Sequence, residues 1–253
     1  MLGVKHVVGF SGGVASSVVA KIVAEAHPGK AVLLFCDTLT EPADNDRFRA
    51  EVASFLGLPI VRIADGRDIW ELFRDEKYLG NQRATPCSEH LKALIGDRWM
   101  KENGPCIYYV GYTPDEWRRA QRLSARKAQA GIEVRFPLID LNISKEECFH
   151  RVMNCWGLKL PAMYEWAEHA NCVPCVKGGL AYWGMVFLNH PEAWARAVQA
   201  EKTTGYQILK KSEYGTLEEE LPRCLRLARE WMEKRKAGKD QGSLYEYPCE
   251  CAL

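Results

Sequence analysis

The sequence predicts an α/β fold: a parallel sheet with helices on both faces, then a helical C-terminal region. Three observations predict it. Short apolar runs alternate with helical patterns up to Asp140. The first run turns through Gly12-Gly13 into a helix of small and β-branched residues. Strand signals then stop, and only helical patterns follow. Strands that alternate with helices pair in parallel and are covered on both faces.

The elements follow in order. Val4 to Phe10 reads as a buried strand, and Ala15 to Ala26 as the first helix. Ala31 to Cys36, Pro59 to Ile63 and Cys106 to Val110 read as further strands, with Val134 to Leu138 as a fifth. Helical patterns fill Asp44 to Leu56, Ser88 to Lys101 and Pro114 to Lys127. Beyond Asp140, helices are expected over Ser144 to Trp156, Leu180 to Glu201 and Thr216 to Lys236, the last kinked by Pro222. The division is 1–140 for a nucleotide-binding α/β domain and 141–253 for a helical region with a cysteine-bearing tail.

The 253 residues suffice for one such domain with an extension. A net charge of +1 gives no global field for nucleic acid, so any such contact needs a local patch. The first residues resemble no secretory leader, and no apolar stretch is long enough for a bilayer. Both point to the cytoplasm and away from membranes. Ten cysteines in such a chain suggest metal ligation or redox chemistry rather than disulfides. Cys36, Cys106, Cys148, Cys155 and Cys224 sit in apolar runs and read as small buried hydrophobes. Cys87, Cys172, Cys175, Cys249 and Cys251 sit beside Pro, Gly or polar residues, where a ligand or nucleophile can be presented.

The sequence Phe10-Ser11-Gly12-Gly13-Val14-Ala15-Ser16-Ser17 joins the first strand to the first helix. Two glycines permit a tight turn and close approach of a ligand. The N–H groups of the helix start then face an anion, and Ser11, Ser16 and Ser17 add hydroxyls. No lysine stands where a Walker A loop needs one, and the dinucleotide glycine pattern is absent. A plain Gly-Gly turn is the bland alternative.

This loop resembles the PP-loop of ATP pyrophosphatases and adenylyl-sulfate reductases, the phosphoadenylyl-sulfate (PAPS) reductase family. Further blocks match in order: Cys36-Asp37-Thr38, Pro86-Cys87 through Lys92, Gly111-Tyr112 through Glu116, Phe136-Pro137-Leu138-Ile139-Asp140, and Asn171-Cys172-Val173-Pro174-Cys175. The resemblance covers residues 4 to 205 and implies an adenine nucleotide alpha hydrolase-like sheet. It also implies roles. Ser11, Gly12, Gly13, Ser16 and Ser17 hold phosphates. Asp37 sits at the sheet edge and positions Mg2+. Lys92 meets phosphate or developing charge. Gly111 lets the backbone approach the nucleotide, and Glu116 belongs to the same binding block.

Departures matter. The family often has Lys-Asp or Arg-Glu where Val14 and Ala15 stand, and an arginine where Thr113 stands. Arg118, Arg119 or Arg122 can supply the missing charge, since a guanidinium suits phosphate. A solvated helix face is the plain reading of the same arginines.

Cys172-Val173-Pro174-Cys175 can bind zinc or an iron–sulfur cluster, or act as a dithiol. Its late position favours ligation. By resemblance, Cys87 joins it around a [4Fe–4S] cluster held by three cysteines with one iron open; Cys249 or Cys251 is the candidate for a fourth ligand. Structural Zn2+ held by Cys172, Cys175, Cys249 and Cys251 is the alternative, and no metal a third. Glu250-Cys251-Ala252-Leu253 also resembles the start of a block that carries the nucleophilic cysteine of sulfonucleotide reductases.

Three functions compete. The first is an ATP pyrophosphatase that adenylylates an acceptor for sulfur transfer, similar to tRNA-thiolation and DNA-phosphorothioation enzymes. A nucleic-acid acceptor and a sulfur-donor protein then follow as partners. The second is a reductase of adenylyl sulfate (APS) or PAPS with Cys251 as nucleophile and an electron-donor protein. The third is a nucleotide-binding module without catalysis. A homodimer is compatible with each.

Overall fold

The computed structural model describes residues 4–210 and 213–238. Five parallel strands form one sheet, ordered β3-β2-β1-β4-β5. They are β1 (Lys5–Gly9), β2 (Ala31–Asp37), β3 (Ile60–Ala64), β4 (Cys106–Tyr109) and β5 (Glu133–Arg135). The strand order reverses at β1, with β2 on one side and β4 on the other. Ligands of open α/β sheets bind beyond the carboxyl ends of the strands at such a switch point.

Alternation along β1 sends its side chains to opposite faces. Val8 joins a core with Val14, Val18, Phe48, Leu138 and Val152. Val7 joins another with Leu34, Met100, Tyr108, Ala120 and Leu123. The first face is covered by α1 (Val14–Ala26) and α2 (Ala43–Leu56), the second by α5 (Ile95–Glu102) and α6 (Trp117–Gln129). A short α4 (Pro86–Ser88) and a wide π-helical turn, Glu89–Leu94, lead into α5.

Three expectations need correction. The strand Val134 to Leu138 ends at Arg135, and Pro137 opens a short helix, α7 (Pro137–Asp140). Proline has no N–H for the ladder but suits a first helical position. The helix Leu180 to Glu201 is two helices, α9 (Leu180–Asn189) and α10 (Pro191–Thr204). His190 before Pro191 is driven out of the helical region. α11 (Leu217–Lys236) runs through Pro222 unbroken. Two further helices complete the set: α3 (Ile69–Asp75) and α8 (Lys145–His150), which continues through a π-helical turn Arg151–Cys155.

A third, aromatic-rich core packs the C-terminal helices against Ile69, Leu72 and Phe73 of α3. Tyr182 and Trp183 are fully buried beside Trp194 and Trp231. Its one inward carboxylate, Glu201, accepts from Ile208 N at 2.8 Å and Leu217 N at 2.7 Å. It thereby ties the α10–α11 connection, and burial holds its carboxyl above the ordinary range. Cys36, Cys148 and Cys224 are buried as expected, Cys106 is half-buried, and Cys155 is exposed at the end of the π turn. No described helix is long and apolar enough to cross a membrane.

Candidate functional site

A cleft opens beyond the carboxyl ends of β1, β2 and β4. Its walls bring together Ser11, Gly13, Ser16, Lys92, Gly111, Glu116 and Arg119, seven of the residues singled out in the sequence. The blocks are far apart in the chain, and parallel pairing of β1 with β2 and β4 sets their ends side by side.

The loop folds as its glycines dictate. Gly12 has φ +78°, and a Cβ there would lie 2.7 Å from Arg49 Cγ, so a side chain at this position would be strained and crowd the arginine. Ser16 Oγ donates to Gly13 O at 2.9 Å and lies 3.4 Å from Ser11 Oγ. Ser17 is placed differently from the expectation. It is fully buried, donates to Gly13 O at 2.9 Å, and is not in the cleft wall. Helix-facing hydroxyls take a backbone carbonyl in this way when no solvent reaches them. One helix-start N–H is already used, since Val14 N donates to Tyr164 Oη at 3.2 Å.

Gly111 lines the cleft, but its lack of a side chain serves packing. A Cβ there would meet Ser16 N at 2.8 Å and the Ala15 carbonyl carbon at 2.9 Å. The glycine lets the end of β4 approach α1.

Asp37 stands outside the cleft wall. Its Oδ2 accepts from Arg62 Nε and Nη2 at 2.9 and 2.6 Å, and its Oδ1 accepts from Leu39 N. Oδ1 therefore anchors the turn after β2, and Oδ2 ties β2 to Arg62 of β3. The carboxylate that does line the cleft behind the loop is Glu41, which sequence reading missed. It pairs with Arg49 at 2.5 Å, and both side chains are nearly fully buried. Arg49 also donates to Ser11 O at 3.2 Å and stacks 3.8 Å above the Phe35 ring. This arginine is the back wall of the loop.

Glu116 and Arg119 form an ion pair inside the wall. Glu116 Oε2 also accepts from Thr113 N and Oγ1 at 3.0 and 3.1 Å. Arg119 stacks on Tyr112, 4.4 Å from its centroid. Cys36 faces the same cleft, and burial pushes its thiol up to about 12, so it is inert there. The Tyr108 hydroxyl is buried in the wall and finds no hydrogen-bond partner among the described residues. A buried hydroxyl without a partner is costly.

The cysteines meet in a second, adjoining cavity. Cys87, Cys172 and Cys175 line it with Thr38, Ser88 and Lys92. Lys92 lies in both walls. Tyr182 Oη accepts from Cys175 N at 2.8 Å and donates to Cys172 O at 3.3 Å, so it pins the Cys-x-x-Cys turn. Thr38 Oγ1 lies 2.9 Å from Cys172 Sγ. Among the described residues, no three His, Cys, Asp or Glu side chains are grouped so as to hold a metal ion. Cys249 and Cys251 lie outside the described residues.

No family model and no curated protein matches the chain. Among solved structures it is similar to the U34-tRNA thiolase NcsA from Methanococcus maripaludis with its [4Fe-4S] cluster. That likeness has 16% identity, 85% of this chain and 77% of that chain covered, and a TM-score of 0.48. It is also similar to a predicted subunit of tRNA methyltransferase from Methanocaldococcus jannaschii. There the identity is 19%, the coverage 58% of this chain and 73% of that one, and the TM-score 0.38. Likenesses this distant carry no residue and no role over to this chain.

Proposed function

We propose that the chain is an adenine-nucleotide-binding enzyme whose cleft takes phosphates at Ser11–Ser16. More particularly, we read it as a PP-loop ATP pyrophosphatase of the PAPS reductase family that adenylylates an acceptor for sulfur transfer. The observation that carries this reading is the convergence of the Ser-Gly-Gly loop, Lys92 and Arg119 on one cleft that shares a wall with three thiols.

In this reading an acceptor oxygen attacks the α-phosphorus of ATP, and the bond to pyrophosphate breaks. Loop donors and Lys92 hold the departing charge, where fixed dipoles act without reorganisation. A sulfur nucleophile then displaces AMP. Lys92 is placed to act on both halves, because it lies between the nucleotide cleft and the cysteine cavity.

Cys87, Cys172 and Cys175 would hold a [4Fe–4S] cluster, which would supply soft sulfur chemistry. The donor set fits: three thiols share one cavity with no carboxylate or imidazole in its wall. The cavity as it stands holds about 20 Å³, room for about one water.

A nucleic-acid acceptor is supported by α6. Arg118, Arg122 and Arg126 are exposed one turn apart, and the helix has no carboxylate of its own. Trp117 is exposed at its first turn, next to Glu116 in the cleft wall. A cationic track with an aromatic platform suits single-stranded nucleic acid.

The test is anaerobic calorimetry with ATP–Mg2+, APS and PAPS, together with iron analysis of the native chain and Cys87→Ser. ATP should bind most tightly, and Cys87→Ser should lose iron yet keep ATP affinity. Tighter binding of PAPS or APS, or an iron-free native protein, would overturn the sulfur-transfer reading.

A further inference from the structure

One cation in the cleft has no place in the sequence motifs. Lys145 is the first residue of α8 and lines the cleft with the Ser-Gly-Gly loop. Its Nζ donates to His169 Nδ1 at 2.6 Å and to Glu168 O at 3.4 Å. No ion pair joins it to a carboxylate among the described residues. Ammonium has donors only, so His169 must accept at Nδ1 and carry its proton on Nε2. His169 also lines the cleft.

This is a costly place for an ammonium. The positive end of a helix disfavours a cation at its first residue. The site is desolvated, and an uncompensated buried charge is unfavourable. The surrounding charges relieve it only in part. From the turn before α6, Glu116 and Asp115 act on Lys145 at longer range, and Glu116 is already held by Arg119 and Thr113. From the 168–169 segment come Glu168 and neutral His169, and from α8 itself Cys148. Arg119 adds positive charge on the His169 side. A missing anion would satisfy the whole group.

We propose that Lys145 is a second anion contact of the cleft, taking a phosphate or sulfate oxygen of the bound nucleotide, with His169 as its positioning residue. This rests on the nucleotide reading above. The Ser-Gly-Gly loop then holds one part of the ligand's charge and Lys145 another, so affinity depends on the ligand's anionic groups in two separable ways. Burial lowers the lysine from its ordinary value. Burial together with Lys145 and Arg119 pushes His169 down to about 3, so it stays an acceptor at neutral pH.

The experiment is calorimetry on the full chain with adenosine, AMP, ATP, APS and inorganic pyrophosphate. The variants are Lys145→Met, Lys145→Arg, His169→Leu and His169→Asn. Lys145→Met should lose about 10- to 100-fold on an anionic ligand and nothing on adenosine, as expected for a charged hydrogen bond. Lys145→Arg should keep most of the affinity. Native affinity for ATP should fall as pH rises toward the lowered lysine value, and Lys145→Met should lack that fall. His169→Leu should move the fall to lower pH, and His169→Asn, which keeps an acceptor, should restore it. Equal losses on adenosine and ATP, or an unchanged ATP affinity in Lys145→Met, would overturn the proposal. If Lys145→Met does not fold, the native pH profile and Lys145→Arg decide in the same way. Binding of pyrophosphate that depends on Lys145, without binding of any nucleoside, would keep the anion contact and remove the nucleotide reading.

Discussion

The cleft and the helical half treat buried charged groups differently. In the helical half the buried carboxylate is closed, although the Trp183 indole N–H has no partner among the described residues. Glu201 gives both oxygens to backbone N–H groups, and aromatic rings fill the rest. At the cleft the charged groups are closed behind the wall and open in front of it. Glu41 and Arg49 satisfy one another behind the loop, while Lys145 lines the opening with a donor to spare. Closed polarity builds a scaffold, and the spare donor of Lys145 is where the proposed ligand group would complete it.

The comparison can be broken at its strongest joint. Arg49→Met leaves Glu41 buried and unpaired, so urea unfolding should show a loss of about 3–5 kcal/mol. A loss below 1 kcal/mol, read on the same scale, would mean that water reaches Glu41 and that the back wall is open. Glu201→Ala in the helical half strands two backbone donors and should cost about 2–4 kcal/mol, with nucleotide affinity unchanged. A parallel loss of affinity would show that the two regions are not separable.

The pH dependence sharpens the contrast. The folded state depresses His169 from 6.5 to about 3, so its contribution to stability is full above pH 6.5 and is lost as pH falls toward 3. His169→Asn should therefore lose less stability than the native chain over that window, as followed by thermal melts. Equal slopes would place His169 in contact with solvent. The smallest effect belongs to the exposed surface. The Lys21–Glu25 pair spans one turn of α1, and Lys21→Ala should change stability by less than about 0.5 kcal/mol. A larger change would show that α1 depends on its surface charges.

What was legible in the sequence was local. The Ser-Gly-Gly loop reads directly because strand, turn and helix are contiguous, and glycine at Gly12 is favoured by its φ. The alternation of β1 between two cores follows from its period. The capping box of α3, Asp68 with Glu71, was present as a signal and went unused, so that helix was missed. The non-local pairs could not be read. Nothing in the sequence tells that Glu41 meets Arg49, that Asp37 is held by Arg62, or that Lys145 meets His169 across 24 positions. Residue type suggested Asp37 for the cleft, yet register at the β2–β3 edge gave it to Arg62 on the neighbouring strand. Ser17 failed for a related reason, since one step along a helix turns a side chain by about 100°.

Tyr164 joins the two regions. Its hydroxyl takes the N–H of Val14 at the start of α1, and its carbonyl accepts from Arg235 in the last turn of α11 at 2.5 Å. Arg235 in turn lies 5.1 Å above the Trp231 ring. A single residue thus ties the loop's own helix to the last turn of the longest described helix, so the two ends of the described fold share one anchor.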